Sequence, residues 1–143
     1  LSECIRFHSV FTGMCHNGKE EVFIFSSLEG KGADVINNEI GKLADDHRLC
    51  NKFIKALQHL LTDNPYELLS PEFITGVVGY IHHIESHIDK ENNILLAIMD
   101  HFISRAEQEI MCDLFDKYER HVMENLDNKD IKDNIDYLLR KYS

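Results

Sequence analysis

The chain has 143 residues, enough for one domain that buries roughly two thirds of the surface its unfolded form exposes, so neither a metal nor a disulfide is required merely to hold it together. Twenty-five acidic against fifteen basic side chains give a formal charge of −10, which repels phosphate backbones and anionic headgroups and argues against nucleic acid and membrane surfaces as partners. The longest apolar runs fall far short of the roughly 20 residues of a membrane span, and no basic-then-apolar leader precedes a small-residue cleavage site, so a soluble, cytoplasmic protein is expected.

Two prolines and seven glycines are few interruptions, and apolar residues recur at helical spacing nearly throughout, which predicts an all-α fold. A first helix spans Ser2 to about Leu28 and stops at Gly30 and Gly32, residues suited to the left-handed conformation of a helix end. The chain opens at Leu1, inside that helical pattern and not at a methionine, which leaves room for a segment upstream. A second helix runs from about Asp34 to Thr62, with a seam of Ile36, Ile40, Leu43, His47, Cys50, Ile54, Leu57 and Leu61 at alternating spacings of four and three.

After a loop at Asn64-Pro65, Ser70-Pro71-Glu72 supplies a cap, a first-turn proline and an acidic first turn for a third helix. Its seam is Phe73, Val77, Tyr80, Ile84, His87, Glu91, Ile94 and Ile98. Ser104 and Glu107 have the form of a capping box, and Ile110, Leu114, Tyr118 and Val122 continue a fourth helix to about Leu126. A break at Asn128 to Asp130 precedes a last short helix with Ile131, Ile135, Leu138 and Leu139 on its apolar side. The connections are short, which predicts an antiparallel up-down bundle: one domain over residues 1–143, its core about 1–120 and a C-terminal helical extension about 121–143.

Cys4, Cys15, Cys50 and Cys112 lie far apart without a Cys-x-x-Cys pair and read as reduced, mostly buried thiols. The chemistry lies elsewhere. His16 and Glu20, in His-Asn-Gly-Lys-Glu, are matched seventy-one residues later by His87 and Glu91, in His-Ile-Asp-Lys-Glu, and the likeness continues from Phe23-Ile24-Phe25 to Ile94-Leu95-Leu96. One such pair is expected by chance from this composition, and a charged surface stripe would also produce it. Residues four apart on a helix lie about 6 Å from one another, so each pair offers an imidazole and a carboxylate on one face.

An unpaired buried carboxylate loses its hydration and must find a proton, a partner or a metal. A divalent cation meets that need, and His47 on the second seam adds another imidazole, although alone it also reads as a satisfied core histidine. His83, one turn before His87 and one position off the seam, reads as a neighbour of the site or as solvent-facing. His101 is fourteen residues from His87, about 21 Å along a helix, and cannot share the site. His59 with Asp63 sits at a helix end and reads as a surface or dipole partner. Imidazoles and carboxylates suit iron or manganese and would accept zinc, but five protein donors exceed the usual tetrahedral zinc shell. Two carboxylate-bridged irons with an open position are expected, and the Glu-x-x-His signature of ferritin-like di-iron proteins is absent from the sequence.

These residues resemble the hemerythrin-like (HHE cation-binding) domains. Cys15 to Glu21 followed by Phe23 to Phe25 is similar to that family's second helix, Ile40 to His47 to its third, and His87 to Asp100 to its fourth, so the likeness covers about residues 1 to 120. The resemblance implies iron ligands at His16, Glu20, His47, His87 and Glu91, with bridging carboxylates. Asn51 stands where some members carry a further histidine. The family's first helix, with its own histidine, has no counterpart before Leu1, so it is expected upstream, from another chain or from a C-terminal helix, with His121 the nearest internal candidate. A three-helix remnant would expose its seam and is expected to dimerise.

The expected function is that of a non-haem di-iron protein binding dioxygen or a related small molecule such as nitric oxide, for sensing, carriage, iron handling or oxidative and nitrosative stress response. The alternatives are a di-iron enzyme reducing peroxide or nitric oxide, for which no proton-delivery chain or substrate pocket can be read, and a metal-free helical interaction domain.

Overall fold

The computed structural model describes residues 2–31, 34–63 and 70–124 together with Tyr137 and Arg140. Every regular element among them is helical. The expected last helix with Ile131, Ile135, Leu138 and Leu139, the break before it, the Asn64-Pro65 loop and Gly32 lie outside the described residues. Helix α1 covers residues 2–28, α2 is Asp34–Asp63, α3 covers 71–102 and α4 is Arg105–Glu124.

The helix ends follow from local chemistry. Beyond α1 the chain turns through Gly30 at φ 76°, a conformation that costs a glycine nothing, while Glu29 and Lys31 donate N–H groups to the carbonyls of Phe25 and Leu28. Ser70 caps α3 by accepting the Phe73 N–H at 3.1 Å, with Pro71 in the first turn. The Ser104–Glu107 capping box opens α4: Glu107 accepts the Ser104 N–H at 2.8 Å and Ser104 accepts the Glu107 N–H at 3.3 Å.

Neighbouring helices run antiparallel. Along α1 and α2, Glu21 meets His47 while Gly13 meets Asn51; along α2 and α3, Asp46 meets Lys90 while Leu57 meets Gly76. Helix α4 returns along α1, pairing Lys31 with Glu107, Lys19 with Glu119, and Phe23 with Phe115 and Tyr118. It thereby covers part of the α1 face that a three-helix remnant would leave open. Among the described residues no helix is long and apolar enough to cross a membrane.

The interior has two apolar layers. Ile24, Phe25, Leu28, Leu43, Leu95, Ile103 and Met111 form one, and Ile5, Cys50, Ile54, Leu57, Phe73 and Tyr80 the other. On each of α1, α2 and α3 the polar seam residues fall in sequence between members of these two layers. The predicted α2 seam is buried or half-buried from Ile36 to Leu61.

Two expectations about seams are corrected. On α3 the buried residue after Glu91 is Leu95, not Ile94, because Glu91–Leu95 forms a wide π turn that inserts one residue into the helical register. On α4, Ile110 and Leu114 are exposed, and Met111, Phe115, Tyr118 and Val122 face inward. Both sets fit helical spacing; the aromatic Phe23 on α1 selects the second by contact with Phe115 and Tyr118. Helix α1 is also less regular than its pattern predicts, with π turns over His8–His16 and Glu20–Phe25.

Candidate metal centre

Three helices bring imidazoles and carboxylates to the level between the two apolar layers. Helix α1 supplies Glu20, the first residue of its second π stretch; α2 supplies His47; α3 supplies His87 and Glu91, the latter again the first residue of a π stretch. The wide turns thus fall at matching points of the two His-x-x-x-Glu segments, and such turns concentrate at functional sites because they re-aim side chains out of the regular register. Glu20, His47 and His87 are buried, and the Glu91 side chain is 12% exposed.

One donor atom from each of Glu20, His47, His87 and Glu91 lies within 4.8 Å of all the others. An ion with donor bonds of about 2.1 Å spreads its donors at most about 4.2 Å apart, so a small contraction of this group encloses a cation. Individual contacts are closer: His87 Nε2 lies 2.6 Å from Glu91 Oε1, and His47 Nε2 lies 3.2 Å from Glu20 Oε2. His16 stands at the edge, its side chain 43% exposed, with Nε2 3.5 Å from Glu91 Oε1 and 3.7 Å from Glu20 Oε1. The two oxygens of Glu20 therefore address different imidazoles, His16 on one side and His47 on the other.

These short contacts are electrostatic, not directional. Glu20 Oε2, His47 Nε2, His87 Nε2 and Glu91 Oε1 are buried and make no hydrogen bond. Buried polar atoms without partners are few in folded proteins, because each forfeits its hydration for nothing, and four from neighbouring helices within 4.8 Å of one another form a group that could hold a metal ion.

The electrostatics follow. The Glu91 carboxylate, together with Glu20, holds the His16 imidazole above its usual range against the effect of burial. Burial pulls His47 down, but the carboxylates of Glu20 and Glu21 outweigh it and its pKa is raised. Burial likewise pushes Glu91 up, yet the imidazoles of His16 and His87 overcome it and hold the carboxyl well below the usual carboxylate range.

A second set of groups stands behind the first. Glu21 accepts the His47 Nδ1–H at 2.7 Å, and Asp46 Oδ2 lies 3.7 Å from His87 Nδ1 while accepting Lys90 Nζ at 2.6 Å. Sequence reasoning passed over Glu21 and Asp46; the signal was their adjacency to Glu20 and His47. His83 takes the neighbouring role that its position off the seam suggested, its Nε2 3.0 Å from the backbone carbonyl of Asp46. His59 and His101 are exposed. His121, also exposed on α4, is not one of the clustered groups. Asn51 faces α1, its side-chain oxygen against Gly13. Asn17, beside His16, is buried with both amide atoms lacking a partner, a feature that no sequence pattern announced.

Comparison with curated proteins and with solved structures returned no significant match. The sequence model of the hemerythrin HHE cation-binding domain, however, matches residues 4–99 of the 143. That span holds all four clustered groups and His16, and the chain belongs to the hemerythrin HHE cation-binding family.

Proposed function

We propose that this chain is a non-haem iron protein in which His16, Glu20, His47, His87 and Glu91 hold a carboxylate-bridged pair of irons, binding dioxygen or nitric oxide for sensing, carriage, iron handling or stress response. The observation that carries this reading is the convergence of buried, unpartnered donor atoms from Glu20, His47, His87 and Glu91. Two ions are favoured over one because Glu20 offers one oxygen to His16 and the other to His47, the disposition of a bridging carboxylate. The imidazole and carboxylate donor set, without a thiolate, suits iron or manganese and would accept zinc; iron is the reading proposed for this family member.

Ferrous iron held there would supply an open coordination position for a diatomic ligand. The residues of the chain supply the rest. Phe25 stacks on His47 with ring centroids 5.7 Å apart, and Leu43 and Leu95 close the apolar layer on that side, keeping water from the buried imidazoles. His16 is the partly exposed member, so the open side of the site lies at α1. Four free thiols suit a reducing compartment such as the cytoplasm.

The test is to purify the protein anaerobically, quantify iron per chain, and record ultraviolet-visible spectra before and after oxygen and nitric oxide. About two irons per chain and a ligand-dependent spectrum are expected, both lost in His87→Ala. A metal-free, featureless wild type with unchanged stability on adding ferrous iron overturns the reading. Turnover of peroxide or nitric oxide at catalytic rates would move the protein to the enzyme class instead.

A further inference from the structure

Resting on the reading of this cluster as a metal centre, we propose that Glu21 is a positioning residue that keeps the proton of His47 on Nδ1 and so presents Nε2 bare to the cation. A neutral imidazole carries one N–H, and only its other nitrogen can donate a lone pair to a metal. His47 and His87 each stand between two carboxylates, and only at His47 is the outer one the nearer. His47 has Glu20 Oε2 3.2 Å from Nε2 and Glu21 Oε1 2.7 Å from Nδ1; His87 has Glu91 Oε1 2.6 Å from Nε2 and Asp46 Oδ2 3.7 Å from Nδ1.

If the proton sat on Nε2, the His47 ring would be locked to Glu20 and both groups would be lost as donors. Glu21 decides against that. Glu21 makes the directional contact: its hydrogen bond to His47 Nδ1 is well formed, whereas His47 Nε2 has none. At His87 the order of distances is reversed: Glu91 Oε1 is 2.6 Å from Nε2, whereas Asp46 Oδ2, paired to Lys90, is 3.7 Å from Nδ1.

Glu21 is 50% exposed, so its replacement leaves no cavity and folding can be verified by circular dichroism. The first readout is nitrogen-15 NMR of the metal-free protein at a pH where imidazoles are neutral. Wild-type His47 is expected as the Nδ1–H tautomer; Glu21→Ala should move most of the population to Nε2–H, and Glu21→Gln, whose side-chain oxygen can accept the same proton, should restore it. The second readout is anaerobic titration with ferrous iron, where Glu21→Ala should weaken binding about 10–100-fold and Glu21→Gln much less. An unchanged tautomer or an unchanged affinity in Glu21→Ala overturns the proposal. If the wild type binds no ferrous iron, the metal reading fails while the tautomer measurement still decides the role of Glu21.

Discussion

The Tyr118 hydroxyl of α4 occupies the space into which a side chain at Gly18 would project. Gly18 lies between His16 and Glu20, so α4 packs against the stretch of α1 that carries both, with the Tyr118 O–H donating to the Met14 carbonyl at 3.3 Å and Lys19 paired to Glu119 at 2.9 Å.

Gly18→Ala tests that approach. Alanine gains about 1 kcal/mol of helix propensity over glycine, while forcing a methyl group against a packed ring costs about 1–3 kcal/mol, so a net destabilisation of about 1 kcal/mol is expected. In a Tyr118→Phe background the clash with oxygen is gone, and the double variant should be less destabilised than the sum of the singles by about 1 kcal/mol. Denaturant unfolding of the four proteins measures the coupling. Strict additivity would mean that the two residues do not touch.

The shifted register of α3 makes a second prediction. Leu95 is 2% exposed and Ile94 only half-buried, so Leu95→Ala should cost about 2–5 kcal/mol and Ile94→Ala about 1 kcal/mol. The regular four-three seam predicts the reverse order. Thermal unfolding of the two variants separates a π turn at Glu91–Leu95 from an unbroken α-helix.

The stability of the metal-free protein should peak in mildly acidic solution. His16, raised by Glu91, and His47, raised by Glu20 and Glu21 against burial, contribute stability that is fully present below the ordinary imidazole value of 6.5 and lost as pH rises through their folded values. Glu91, depressed by His16 and His87 against burial, contributes stability that is present above its ordinary 4.5 and lost as pH falls. Unfolding midpoints recorded from pH 4 to 9 should therefore decline on both sides of the interval between these values. With ferrous iron present the alkaline decline should vanish, because the metal takes deprotonated imidazoles. A flat alkaline limb in the metal-free protein would contradict the pairing of His16 and His47 with these carboxylates.

Metal should also stabilise the fold. At a free concentration about 100-fold above Kd, a ligand bound only by the folded state adds about 2.7 kcal/mol, on the order of 5–10 °C in Tm for a domain this size. Chelation should reverse the gain, and Glu20→Gln should lose most of it while leaving the metal-free Tm within a few degrees of wild type. Equal metal-induced shifts in Glu20→Gln and the wild type would remove Glu20 from the site.

What one helix determines for itself was legible in the sequence. The α2 seam from Ile36 to Leu61, the Ser70 and Ser104 caps and the stop at Gly30 depend on period, propensity and hydrogen bonds within a few residues, and all can be read without knowing the neighbours. So could the choice of His47, His87, Glu20 and Glu91 as polar groups on core-facing positions. What depends on two helices at once could not. Met111 and Ile110 both fit the spacing of α4, and only the aromatic surface of α1 separates them. The π turn that brings in Leu95 leaves no local signature, the exposure of His16 depends on what packs beside α1, and Glu21 gains its role from a ring on the next helix. Periodicity carries the inward direction of a side chain, but the height and rotation of one helix against another are set by contacts that no single segment contains.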